Sequence, residues 1–95
     1  MDLEIAILEA KDGDAAGLVR AMNDAGSAHL LSAPGCRSVK VLPGVENPGN
    51  VLIMVEWDSV EAHGEAKNSD GFRKFVQTAS PWFGTGGSMQ HFKLS

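Results

Sequence analysis

His63 stands four residues beyond Ser59, and that spacing is where chemistry is first suggested. Ser59 is a good helix N-cap, and Glu61 suits the positive end of a helix dipole. His63 then falls in the first turn of a helix. A positive dipole end disfavours imidazolium and keeps a neutral ring able to take a proton, which fits proton abstraction from a phenol or quinol. The competing reading is an interfacial histidine hydrogen-bonded on the helix surface. His91 and His29 are the other two imidazoles. Each can reach a pocket between sheet and helices, or simply pack at its edge. No metal-ligand spacing links the three, so no metal is expected.

Aromatic side chains supply walls for a flat ligand. Trp57, Phe72, Trp82 and Phe83, together with His91, are the candidate lining, although Trp57, Phe72 and Phe75 also suit the core. Trp82 and Phe83 follow Pro81 and precede Gly84-Thr85-Gly86-Gly87. They read as a movable cover over a pocket or as loop anchors. The glycine run is no phosphate cradle, because no lysine follows it and it opens no helix; a flexible connection is expected there. Cys36 lies beside Arg37, which would lower its pKa, but no base accompanies it and a small buried side chain is the simpler role. Glu56 is odd in an apolar strand. It is either a buried acid facing a pocket or a cross-strand partner of Lys40. Met54 and Met89 fit gap-filling or an adaptable pocket wall.

The elements that position these residues follow from periodicity. Leu3 to Glu9 sets Leu3, Ile5 and Ile7 against Glu4, Ala6 and Leu8, the period of a strand. Asp12 or Asp14 caps a helix from about Asp14 to Ser32, along which Ala15, Leu18, Met22, Ala25 and His29 recur at helical spacing. Ala33-Pro34-Gly35 ends it. Ser38 to Leu42 and Val51 to Trp57 read as an antiparallel hairpin across a loop containing Pro43-Gly44 and Asn47-Pro48-Gly49-Asn50. A second helix starts at Ser59. Asn68 to Gly71 interrupts it, and Phe72, Phe75, Val76 and Ala79 form the face of a further helical segment that ends at Pro81. Met89 to Leu94 is a last short strand.

That order is the ferredoxin-like βαββαβ arrangement, an α+β fold with a four-stranded antiparallel sheet and both helices on one face. On the third strand Val51, Ile53, Val55 and Trp57 share one face, and Leu52, Met54 and Glu56 the other. Both faces are largely apolar while helices cover only one, so a homodimer closing sheet against sheet is expected.

Composition narrows the classes. The 95 residues suit one domain over 1–95, with 43% hydrophobic and 21% charged residues. No apolar run is long enough for a membrane span. The start at Met1-Asp2-Leu3-Glu4 lacks a secretory pattern and Cys36 has no disulfide partner, so a cytoplasmic setting is expected. Net charge is −4, and the eight Lys and Arg form no cluster, which argues against nucleic acid.

Pro34-Gly35-Cys36, Glu46-Asn47-Pro48, the run Glu56-Trp57-Asp58-Ser59-Val60-Glu61-Ala62-His63, and then Ser69 and Phe72 resemble the antibiotic biosynthesis monooxygenase (ABM) domain family. The likeness spans essentially the whole chain. It implies a dimeric α+β barrel. Family activities include oxygenation of quinols and anthrone-type compounds without a bound cofactor, haem degradation, and isomerisation of a signal molecule. Many members carry a histidine where this chain has Ala66, and others carry it at the position of His63. Haem degradation there relies on an asparagine in the first strand and a tryptophan and histidine in the second helix; Leu3 to Glu9 has no asparagine and the second helix no tryptophan. The resemblance therefore implies a cofactor-independent monooxygenase of a small phenolic, quinol or polyketide-type aromatic. A non-catalytic dimeric ligand-binding module is the alternative, and a haem protein ranks below both.

Overall fold

Strict alternation on the first and third strands decides which side chains meet the helices. The computed structural model describes residues 1–95. Strand β1 (Asp2–Ala10) is followed by a 3₁₀ turn, helix α1 (Ala15–Ala21), a π-helical turn (Met22–Gly26) and helix α2 (Ser27–Leu31). Then come β2 (Cys36–Pro43), β3 (Asn50–Trp57), α3 (Val60–Ala66), α4 (Asp70–Ala79), a 3₁₀ turn over Ser80–Trp82, and β4 (Phe83–Lys93). The four strands run in the order β2-β3-β1-β4, all antiparallel, and the sheet is not closed. This is the ferredoxin-like α+β fold.

Under the helices lie Ala6 and Ala10 of β1 and Val51, Ile53, Val55 and Trp57 of β3, packed on Leu18, Met22, Leu30, Phe75 and Ala79. The register sets Glu4 between Val55 of β3 and His91 of β4. Glu4 and His91 are thus neighbours by strand pairing, although 87 positions separate them in the chain.

Three caps fix the helices. Asp14 Oδ1 accepts from the Gly17 amide at 2.9 Å, Ser59 Oγ from Ala62 at 3.0 Å, and Ser69 Oγ from Phe72 at 3.2 Å. Asp2 Oδ2 also accepts from the Val60 amide at 2.9 Å, which ties the start of α3 to the start of β1. His63 is thereby held over Glu4.

Several expectations need correction. The π-helical turn adds a residue to the first helical stretch and rotates its later face by one position, so Gly26 and Leu30 are buried where Ala25 and His29 were expected. On α4, Phe75 and Ala79 are buried, while Val76 is 39% exposed and leaves the expected face. The run Gly84 to Gly87 is no loose connection: it belongs to β4, which starts at Phe83 instead of Met89. Pairing of Phe83 with Ala10 and of Gly87 with Leu8 holds its two ends, with a register irregularity between them. Absence of side chains permits this close pairing, since a Cβ on Gly86 would collide with the Glu9 carboxylate. Glu56 accepts from Ser38 Oγ at 2.6 Å, in register with it, whereas Lys40 sits opposite Met54. The Glu56 to Lys40 pair does not form.

The other sheet face carries Leu3, Ile5, Ile7, Leu52, Met54 and Phe92, with Ile7 40% and Phe92 47% exposed. No helix of the protein is long and apolar enough to cross a membrane.

Candidate active site

Trp57 ends β3 fully buried, and its indole N–H needs an acceptor there. Glu4 supplies it: Trp57 Nε1 donates to Glu4 Oε1 at 2.9 Å. His63, only 5% exposed, stacks on the indole with ring centroids 4.6 Å apart and planes within 11°. Its Nδ1 lies 2.8 Å from His91 Nε2, a hydrogen bond, and its Nε2 lies 3.5 Å from Glu4 Oε1. Strand pairing, one cap and one stack therefore assemble Glu4, Trp57, His63 and His91 into a single polar cluster.

Burial pushes the His63 pKa below its ordinary value; Glu4 pulls it up, and His91 and Lys67 push it further down. The ring is neutral at physiological pH. A bare Nε2 lone pair facing a carboxylate oxygen is repulsive, so the ring proton belongs on Nε2 and the lone pair on Nδ1 accepts from His91 Nε2.

The cluster opens into a cavity of about 390 Å³ between sheet and helices. Glu4 and His63 form its polar end, Phe72, Phe75 and Phe83 its aromatic wall, and Lys67 is the one cation on its lining. Phe72 and Phe75 meet edge to face at 5.5 Å. The volume and the apolar lining suit a small aromatic molecule.

Of the residues expected from sequence, His63, Phe72 and Phe83 line the cavity, His91 bonds to His63, and Trp57 backs the His63 ring. Trp82 does not reach it. Its indole packs over Gly17 of α1, where a Cβ would collide with it, so Trp82 is a helix contact and no cover. Met89 lines the cavity and Met54 faces the open sheet side. His29 joins no part of the cluster. Cys36 is the small, partly buried side chain expected, but its pKa moves against the direction Arg37 would give: burial and the nearby Glu4 charge raise it to about 11, and Arg37 turns instead to Asp58 at 2.6 Å. It is an inert thiol.

Glu4 and Lys67 were not singled out from sequence. The signal for Glu4 was an acid in mid-strand sharing a face with Ala6 and Ala10, whose small side chains leave space beneath the helices. Haem does not fit this residue set. Glu4 occupies the cavity face of β1 with no amide, and His63 has its lone pair engaged by His91 and its other nitrogen against Glu4, so neither nitrogen of the cavity histidine is offered to iron.

Comparison with known proteins agrees with the fold. The chain resembles the solved structure of a proposed antibiotic biosynthesis monooxygenase from Bordetella bronchiseptica, with a TM-score of 0.86 and 20% identity over 99% of this chain and 96% of that one. A proposed monooxygenase of the same name from Chloroflexus aurantiacus gives a TM-score of 0.75 at 21% identity, covering 96% and 89%. Rv0793 from Mycobacterium tuberculosis gives 0.70 at 18%, covering 97% and 92%. No curated protein matches the chain. A family model described as antibiotic biosynthesis monooxygenase matches residues 2–78, and the chain belongs to that family.

Proposed function

We propose that this protein is a monooxygenase that oxidises a small phenolic, quinol or polyketide-type aromatic with molecular oxygen and needs no bound cofactor. The observation that carries this reading is a buried acid and imidazole cluster at the polar end of a largely apolar, aromatic-walled cavity, in a chain of this family. An electron-rich aromatic gives electrons to oxygen readily only as its anion, so the protein must remove a proton, exclude water and tolerate the resulting charge. The Glu4, His63 and His91 cluster meets the first need. The apolar walls limit water around a bound ring, and Lys67 at the lining offers a counter-charge for the third.

With an anthrone-type methylene the overall change is CH2 plus O2 to C=O plus H2O. One oxygen atom is retained in the product, and the other leaves as water with both methylene hydrogens. The non-catalytic module would use this cluster only to hold a ligand, whereas a neutral buried histidine beside an acid at a cavity is the arrangement proton transfer calls for. Oxygen-electrode assays across hydroquinones and anthrones should show enzyme-dependent uptake with at least one member. Uptake equal to the protein-free rate across the whole panel would overturn the proposal.

The same reading includes assembly. Two copies are proposed to close their open sheet faces over Ile5, Leu52, Met54 and their neighbours into a dimeric α+β barrel. Sedimentation at micromolar concentration should give a dimer, and Ile5→Lys, which places an unpaired charge in that contact, should give a monomer. A monodisperse wild-type monomer would count against it.

A further inference from the structure

The position of each lone pair in the cluster determines which group meets the substrate. The Glu4 contact at 3.5 Å assigns the His63 proton to Nε2, so its one lone pair, on Nδ1, accepts from His91 Nε2 at 2.8 Å. A neutral His63 therefore has nothing left with which to accept a proton. Glu4 differs. It is 8% exposed, its Oε1 is held by Trp57 at 2.9 Å and approached by His63 at 3.5 Å, and its Oε2 has no hydrogen-bond partner in the chain. No fully enclosed side-chain nitrogen or oxygen lacks a partner, so Oε2 must be reached from the cavity that Glu4 lines. Oε2 is therefore the free acceptor at the polar end of the cavity, open to water when no ligand is bound and to a ligand hydroxyl that displaces it.

We infer that Glu4 is the catalytic base: its Oε2 accepts the hydrogen bond of an aromatic hydroxyl in the cavity and then its proton. This deepens the monooxygenase reading and rests on it for the step that follows binding. In that step the substrate O–H bond breaks, its electron pair stays on the phenolate oxygen, and the proton passes to Glu4 Oε2. His63 and His91 are positioning residues. His91 Nε2 fixes the His63 tautomer, and His63 Nε2–H and Trp57 Nε1–H hold Oε1 so that Oε2 faces the ligand. The ligand class is accordingly narrower than aromatic molecules in general: it must carry a hydroxyl donor.

Binding separates this from turnover. Titration calorimetry with 1-naphthol and its methyl ether, 1-methoxynaphthalene, compares one ring with and without the donor. Wild type should bind the naphthol about tenfold or more tightly, as a hydrogen bond to a charged acceptor implies, and Glu4→Gln should lose that preference while retaining an acceptor for Trp57. His63→Gln should keep part of it. Equal affinity for the two compounds in wild type, no binding of either, or a preference lost in His63→Gln but kept in Glu4→Gln would each overturn the assignment. Should Glu4→Gln not fold, carboxyl carbon-13 NMR of wild type decides: the Glu4 resonance should move with naphthol and not with the ether, and an unmoved resonance overturns the assignment. Absence of oxygen uptake with the naphthol preference intact would sink the monooxygenase reading and leave the hydroxyl site standing.

Discussion

Replacing Trp57 with alanine is expected to lower the free energy of unfolding by about 3–5 kcal/mol, the largest loss from any single change at this site. The side chain is fully buried at the end of β3, backs the His63 ring at 4.6 Å, and gives Glu4 Oε1 its hydrogen bond. Its removal opens a cavity and leaves a buried carboxylate without its N–H donor, and both effects act in the same direction. Trp57→Phe separates them. It keeps most of the packing and deletes the donor, so it should cost less in stability than alanine while still disturbing Glu4. Urea unfolding of the two variants checks this. A loss below about 1 kcal/mol for the alanine variant would mean that Trp57 is not the support described.

His63→Ala is expected to reduce oxygen uptake by about 10²-fold or more at pH 7.5, within the range for loss of a positioned proton-transfer system. The variant should also change how stability depends on pH, a readout that mere loss of packing would not move. In the folded protein the His63 pKa lies below the ordinary value of 6.5, chiefly through burial. Below pH 6.5 the unfolded chain therefore binds more protons than the folded one. The contribution is complete above that pH and is lost as pH falls through the folded value, with a slope of at most about 1.4 kcal/mol per pH unit. Denaturation midpoints measured from pH 7.5 to 5 should fall in wild type and fall less in His63→Ala. Parallel curves would show that His63 is not held neutral by its surroundings.

Much of the fold was legible because local signals and tertiary packing agree. Strands β1 and β3 lie within a residue of their expected limits, since alternation along them coincides with burial. Ser59 caps α3 as its chemistry predicts. Where the two levels part, sequence reading fails for identifiable reasons. Gly84 to Gly87 has poor strand propensity, and only the facing edge of β1 makes it a strand. The π-helical turn at Met22–Gly26 leaves no mark in residue type, yet it shifts every later position on that helical stretch.

The site divides in the same way. His63 was visible from its cap, and Phe72 and Phe83 from their chemistry. Glu4 was not, because a glutamate opposite Leu3 and Ile5 in an alternating strand resembles a solvent-facing residue. Its inward position appears only once β1 is paired with β3 and the helices cover that face. The bond between His63 and His91 depends on the same register, which no short-range pattern encodes.

Oxygen-18 labelling tests the central claim most directly. A substrate found in the uptake assay is turned over briefly under labelled oxygen gas, and the product mass is read for wild type and His63→Ala. The account predicts one labelled atom per product molecule from wild type and little labelled product from the variant. Product oxygen drawn from water, or equal labelling with and without protein, would contradict it.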